Sequence, residues 1–351
     1  MSTAKVINVQ HPSASTTNIV NDASGNVAVG NNLTVAGTAT VTGATTLTGN
    51  VTAAGTVAMG SSFKRNRIIN GNMAADQRNA GAAQTITAAA ALAYTVDRFY
   101  AYCTGANVTG QQVAGATANQ YRYRFTGAAS VTAIGFAQRI EAINSADLAG
   151  TTATLSVDLA NSLLTTVTWT AYYANTTDTF GSLASPTVTS IATGTFTVTS
   201  TVTRYNAQIS IPSAATTGLQ IVLSVGAQTS GTWTIGSVQL EVGTIATPYE
   251  RQIYSDQLAQ CQRYYEVNNL SSSTYYYVTL ISNDATYRAA SSTFVVAKRT
   301  APTMAFSSSG ASIGSSGGLN TNVAGWNWTG GPGYTAGAAY TVGNWTASAE
   351  L

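Results

Sequence analysis

Beyond residue 150 the chain alternates apolar and polar positions with a period of two. Ala153, Leu155, Val157 and Leu159 are interleaved with Thr154, Ser156 and Asp158. Val167, Trp169, Ala171 and Tyr173 repeat the pattern, as do Tyr205, Ala207, Ile209 and Ile211, then Leu219, Ile221, Leu223 and Val225. Residues two apart in a strand share a face, so these runs predict half-buried antiparallel strands joined by turns rich in Gly, Asn, Thr and Pro. A β-sandwich follows, and among sandwiches a jelly roll. In Val238–Gln239–Leu240–Glu241–Val242 alternation sends the valines and Leu240 to one face and Gln239 and Glu241 to the other. That polar pair is expected to orient the helix that follows and not to touch a ligand. One stretch leaves the strand period: Ser255 reads as the N-cap of a short helix through Asp256, Leu258, Ala259, Cys261 and Gln262, linking two β domains.

The first 62 residues behave differently. Gly37, Gly43, Gly49 and Gly55 recur every six residues, each preceded three positions earlier by Thr34, Thr40, Thr46 or Thr52 and two earlier by Val35, Val41, Leu47 or Ala53. Such a register predicts short extended pieces closed by glycine corners. From Leu33 to Met59 there is no aromatic and no charge. Each buried valine or leucine returns roughly 1.5–3 kcal/mol, against roughly 1–2 kcal/mol to order the backbone of every residue. One strand of this sequence cannot hold itself folded. A single-chain β-helix needs about three stacked repeats, more than this length supplies. Three chains wound about one axis can pool their stripes, which predicts a homotrimeric shaft; an unstructured Gly/Thr/Ala linker is the alternative that the composition also permits.

Composition sharpens the division. All 5 Trp, 18 Tyr and 8 Phe lie at or after Phe63, whereas residues 1–62 carry only Lys5 and Asp22 as charges besides His11. Charged residues make up 8% of the chain, far below the roughly 25% of ordinary soluble domains. Solubility must therefore rest on Thr, Ser, Asn and Gln. A net charge of +2 gives no electrostatic footprint for nucleic acid or an acidic membrane. No apolar run of membrane-spanning length occurs, and MSTAKVINVQHPSAS lacks the basic end and apolar core of a secretory signal, so export by that route is not expected. Cys103 and Cys261 are expected to stay reduced.

Several runs give the chain a family likeness. MSTAKVINVQHPSASTTNIVNDASGNVAVGNNLTVAG, KRNRIINGNMAADQR at 64–78, YTVDRFY at 94–100, AQRIE at 137–141 and WTIGSVQLEVGTIATPYERQIYSDQLAQCQRYYEV at 233–267 resemble modules of bacteriophage tail fibre proteins. The specific part is the pairing of RNRIINGNM with VQLEVG…TPYE…CQRYY. Residues 268–351 resemble that family weakly, through Tyr264, Tyr265 and KRTAPTM at 298–304. The resemblance implies an elongated homotrimeric fibre, mainly β. Its segments would be a tail-attachment segment at 1–30, the shaft at 31–62, a jelly roll similar to carbohydrate-binding modules at 63–251, a linking helix at 252–267 and a β-rich tip at 268–351. It also implies a virion location, a tail or baseplate protein as partner of the N-terminal segment, and a host surface glycan or envelope receptor as target.

The chemistry expected of the head is binding. Scarce charges should be paired, and Asp97 with Arg98, and Arg139 with Glu141, are expected as structural ion pairs, the first facing inward to fix strand register. The thirteen acids form no local two-carboxylate motif of the kind glycoside hydrolysis requires, and the single His11 offers neither a catalytic base nor a zinc ligand to the head. No phosphate-cradling glycine loop occurs, and no cofactor or metal is expected. Glycan recognition uses aromatic faces flanked by amides and hydroxyls. Candidates lie near the far end: Trp326, Asn327, Trp328, Tyr334, Tyr340 and Trp345, with Tyr275, Tyr276 and Tyr277. Trp326 and Trp328 would share one face as a stacking platform, or else seal a core or a threefold axis. Three functions stay open at this level: a non-catalytic adhesin, a structural adaptor that joins the tail to a separate receptor-binding protein, and a polysaccharide depolymerase.

Overall fold

Short β-prone runs open the chain. Asn8–Val9 (β1), Ile19–Asn21 (β2) and Val27–Val29 (β3) form an antiparallel three-stranded sheet in the order β1-β2-β3. The computed structural model describes residues 8, 9, 19–21, 27–29, 35, 64–89, 92–115, 120–268, 288–307, 317–330 and 344–351. The chain divides into two units, Met1–Gly60 and Ser61–Leu351. Of the expected shaft residues, Val35 is exposed. Gly37, Val41, Gly43, Leu47, Gly49 and Gly55 lie outside the described residues.

In the second unit the alternating runs become two packed sheets. Their strands are Gln84–Ile86 (β4), Ala93–Tyr94 (β5), Phe99–Thr104 (β6), Val108–Ala114 (β7), Tyr121–Thr126 (β8) and Ala133–Ile140 (β9). After a one-turn helix, Ala142–Ser145 (α1), come Thr152–Asn161 (β10), Thr166–Ala174 (β11), Val188–Thr197 (β12), Thr203–Ser210 (β13), Leu219–Val225 (β14) and Thr232–Val242 (β15). Sheet 1 runs β13-β10-β15-β8-β7-β4 and sheet 2 runs β12-β11-β14-β9-β6-β5. Four antiparallel pairs nest inside one another: β8 with β15, β9 with β14, β10 with β13 and β11 with β12, alternating between the sheets. That nesting is a jelly roll, as the alternation predicted.

The core lies between the sheets. Leu155, Val157 and Leu159 of β10 face Val167, Trp169 and Ala171 of β11, all buried. An aromatic stack continues it, with Phe99 on Phe136 at 4.7 Å, Tyr123 on Phe136 at 5.2 Å and Phe125 on Trp233 at 5.3 Å. Val238 and Leu240 join this core, but Val242 at the strand end is 45% exposed, because the alternation runs out where the chain turns away at Gly243.

The two motifs that carried the family likeness pack against each other. Past Ile235, strand β15 loses β8 as neighbour. Residues 67–71 take the vacant edge: Arg67 N donates to Leu240 O and Val238 N to Gly71 O, both at 2.8 Å. A side chain at Gly71 would meet Val238 O at 2.1 Å, so only glycine lets the strap lie this close. Asn66 braces it, its Oδ1 accepting from Leu240 N and its Nδ2 donating to Val238 O.

The helix Tyr254–Gln262 (α2) follows, with Asp256 in its first turn. Its N-cap is Ile253, without a side-chain cap bond, so Ser255 lies inside the helix and does not cap it. What fixes the helix is tertiary: buried Gln257 donates to Asn70 and Asn72 of the strap. Two small antiparallel sheets complete the unit. Tyr265–Val267 (β16), Arg288–Thr293 (β17), Thr303–Ser307 (β18), Gly317–Thr321 (β19), Gly325–Gly330 (β20) and Asn344–Ser348 (β21) pair in the orders β16-β21-β18 and β17-β20-β19. Sandwich, helix and these sheets all lie in the unit Ser61–Leu351. Cys103 and Cys261 are free and buried.

Candidate functional site

Buried charge marks where the small sheets join the sandwich. Asp97 and Arg98 both point inward, 0% and 1% exposed, but they do not pair with each other. Successive residues at a turn diverge, and each finds a distant partner. Asp97 accepts from Gln77 Nε2 at 2.7 Å and meets Arg78 at 3.5 Å. Arg98 pairs with Glu350, lies over the Tyr264 ring at 3.4 Å and donates to Arg139 O at 2.6 Å. Arg139 and Glu141 likewise part. They stand two apart on one side of the chain yet at different ends of a contact: Arg139 donates to Gln220 Oε1, Gly181 O and Leu351 O. Glu141 receives Tyr264 Oη at 2.6 Å and Arg263 at 3.1 Å. Burial pushes the Asp97 carboxyl up to about 6, opposed by Arg78 and the Gln77 hydrogen bond. All four residues hold the fold.

Gln239 and Glu241 are buried on the outer side of sheet 1 and bond the exit segment: Glu250 N donates to Gln239 Oε1 at 2.7 Å, and Thr247 N to Glu241 Oε1 at 2.9 Å. Arg65 approaches Glu241 at 3.3 Å. The outer side of sheet 1 is thus covered here by the chain's own strap and exit segment.

The C-terminal tryptophans are core residues. Trp326 is 3% and Trp345 5% exposed, and their rings meet edge to face at 6.4 Å. Phe306 packs on Trp326 at 5.1 Å and Phe294 on Trp345 at 5.6 Å. Neither offers a face for a sugar to stack on, because a three-stranded sheet needs large side chains to bury any core at all. Asn327, on the opposite face of β20, is exposed and stands in register with Ser291 and Asn320. Trp328 pairs with Ala290 and Leu319 through its backbone; its side chain lies outside the described residues, as do Tyr275, Tyr276, Tyr277, Tyr334 and Tyr340.

An aromatic surface occurs elsewhere, on the outer side of sheet 2. Phe99, Ala101 and Cys103 of β6 enter the core, which sends Tyr100 and Tyr102 outward. The Tyr102 ring covers Gly135 of β9, where a Cβ would stand 2.1 Å from the ring. Tyr172 of β11 is half-buried on the same floor, made by Ala137 and Val222. Burial raises the Tyr102 hydroxyl above its ordinary range, with nearby Tyr172 adding to the effect. Around them the cross-strand rows present hydroxyls: Ser224 and Thr168 beside Gly135, and Thr170 with Thr193, whose oxygens are 3.1 Å apart. The cation at the margin, Arg139, is consumed by its three acceptors. Tyr94 closes that margin, donating to Leu351 O at 2.8 Å. The result is a neutral surface of aromatic rings and hydroxyls. Its trace in the sequence is the unbroken FYAYC run, apolar on both faces, and Tyr172, out of phase with the core set of β11.

No protein-family model matches this sequence, and no curated protein matches it. Among solved structures, the sandwich region resembles a family 4 carbohydrate-binding module at 16% identity and a TM-score of 0.32, over 50% of this chain and 98% of that one. It also resembles the enzymatically active domain of bacteriophage CBA120 tailspike protein 4, at 15% identity and a TM-score of 0.31, over 51% of this chain and 22% of that one. A third likeness is to a family 61 carbohydrate-binding module in complex with β-1,4-galactotriose, at 10% identity and a TM-score of 0.27, over 51% of this chain and 99% of that one. The jelly-roll assignment rests on the nested strand pairs and not on these overlaps.

Proposed function

We propose that this chain is a non-catalytic attachment protein of a phage tail fibre, a homotrimer that binds a neutral host-surface glycan on the outer side of sheet 2. The observation that carries the reading is the half-buried Tyr102 ring over Gly135 with Tyr172 in the same cluster, framed by Thr168, Thr170, Thr193 and Ser224 without an unpaired charge. Aromatic faces pack on sugar C–H groups while hydroxyls exchange hydrogen bonds, so a neutral saccharide is the ligand class such a surface fits. The fibre setting is supported by the strap and β15 motifs, whose mutual packing explains why they occur together. Threefold assembly is supported by the hexad register and by the exposure of Val35 on a single chain. Three weak sites on one fibre would engage a host surface through effective concentration. The tail or baseplate partner follows from the family likeness of residues 1–30.

Absence of catalysis is supported by the state of the carboxylates. Asp97, Glu141, Glu241, Glu266 and Glu350 are each buried against an Arg or Lys. A hydrolase needs two cooperating carboxylates that face its substrate, and these five are turned inward.

Binding of the purified full-length protein to host-envelope polysaccharide tests the reading. Tyr102→Ala and Tyr172→Ala are each expected to weaken it about tenfold, the equivalent of about 1.4 kcal/mol, with the fold intact by circular dichroism. Unchanged binding in both variants would overturn the placement, and release of reducing ends from the polysaccharide would overturn the non-catalytic assignment. A light-scattering mass of 36.0 kDa, that of one chain, would overturn the shaft. The adaptor reading is favoured by one observation, the burial of Trp326 and Trp345, which takes two tryptophans of the tip out of any stacking surface. It predicts no glycan binding by an intact trimer.

A further inference from the structure

A cleft of about 850 Å³ opens between the end of α2, strand β16 and the β17-β20-β19 sheet, away from the tyrosine surface. We propose that it is a second ligand site, which takes one neutral sugar unit through oxygen acceptors. Its volume lies within the roughly 300–1,000 Å³ of small-molecule sites. Its lining combines Trp326, Trp345 and two valines with amides and hydroxyls, among them Asn268, Ser292, Asn320, Asn322 and Asn327. The one carboxylate in the wall, Glu266, is already spent: Lys298 Nζ and Val295 N both donate to it. An ionic ligand therefore finds no counter-charge there.

Two amides are held in fixed orientation. Asn322 Oδ1 accepts from Ala324 N at 2.8 Å and Gly325 N at 3.0 Å, so its NH₂ end is turned away from the backbone. Asn268 Oδ1 accepts from Trp345 N, which orients its amide in the same manner. Trp326 also lines the cleft, with its indole N–H buried, so the ring reports on the wall. The donors are the two amide NH₂ ends, on exposed Asn322 and half-buried Asn268. Oriented amides and no cation among the lining residues select an acceptor-rich, uncharged molecule, and a sugar ring supplies several oxygens within that volume. This inference does not use the tyrosine surface.

The test follows the indole ¹H–¹⁵N resonance of Trp326 in the full-length protein, assigned by its loss in Trp326→Phe, during separate millimolar titrations with glucose, galactose and N-acetylglucosamine. The expected result is a saturable shift with at least one sugar, weakened tenfold or more by Asn322→Ala and by Asn320→Ala, an exposed position that leaves the turn intact. The shift should persist in Tyr102→Ala. No shift with any of the three sugars, or a shift abolished by Tyr102→Ala and indifferent to Asn320→Ala, would overturn the proposal. Loss of polysaccharide binding in Tyr102→Ala with the Trp326 response retained separates the two sites.

Discussion

The two outer sides of the sandwich are built from the same strand pattern yet are used in opposite ways. Outside sheet 1, near β10 and β15, Gln239 and Glu241 are buried under the strap and exit segment, and their side chains bond that segment. Outside sheet 2, Tyr102, Tyr172 and the threonine rows stay partly open; the rings rest on packing, and the hydroxyls of Thr170 and Thr193 bond each other. The difference teaches where charge belongs in a chain that has little of it. Ions and amides lock the sandwich to its own appendages, and a neutral surface is left for a neutral partner.

That contrast can be broken most forcefully at the junction. Arg98→Ala leaves the buried Glu350 carboxylate with Arg78 as its one remaining partner, and removal of one partner of a buried pair costs up to about 3–5 kcal/mol. The expected outcome is a large fall in thermal midpoint and early proteolysis of residues 254–351, with Tyr102 and Tyr172 unaffected in any fragment that retains the sandwich.

A pH effect comes next. Asp97, with a native pKa of about 6 against 3.8 in the unfolded chain, keeps its proton when folded across a range in which the unfolded chain has lost it. Its contribution is therefore greatest below about pH 4, declines as pH rises to about 6 and is constant above. At about 1.4 kcal/mol per pKa unit this amounts to about 3 kcal/mol. Asp97→Asn removes that decline. Denaturant melts of both proteins from pH 4 to 7 should show wild type losing ground to the variant as pH rises, and parallel curves would refute the burial argument. The groups that face Asp97 are Gln77, Arg78 and Glu350, of which Arg78 and the Gln77 bond oppose the shift while Glu350 adds to it.

Smaller changes sharpen the comparison. Gly71→Ala forces a methyl to within 2.1 Å of Val238 O, and overpacking of this kind costs about 1–3 kcal/mol, measurable as a lower urea midpoint. On the open side, Thr170→Val deletes one hydroxyl at a half-exposed position. It should change stability by about 0.5 kcal/mol or less while still lowering glycan affinity.

Much of the sandwich was legible because its information is local. Period two in β10, β11 and β14 states which side faces the core, and the nested pairing follows once the strands are long and antiparallel. The charge partners were not legible. Nearness in sequence suggested Asp97 with Arg98 and Arg139 with Glu141, whereas a turn at 97–98 and a two-residue step in β9 aim each side chain at a separate element. The tryptophans misled for a related reason. A period-two Trp–Asn–Trp run looks the same on a ligand surface and on the core side of a small sheet, and only the neighbours Phe306 and Phe294 decide. The tyrosine surface left a faint trace, a strand apolar on both faces, which can signify either full burial or an exposed aromatic floor.

The bond between Arg98 and Glu350 spans 252 residues of sequence. Considered as a folding event and not as a contact, it sets an order of assembly. During synthesis the sandwich strands emerge long before Glu350, so this ion pair is among the last contacts of the unit that can close. Non-local closure of this kind is slow. A chain shortened by its last two residues would leave the buried Arg98 guanidinium with only the Arg139 carbonyl and the Tyr264 ring, and no carboxylate.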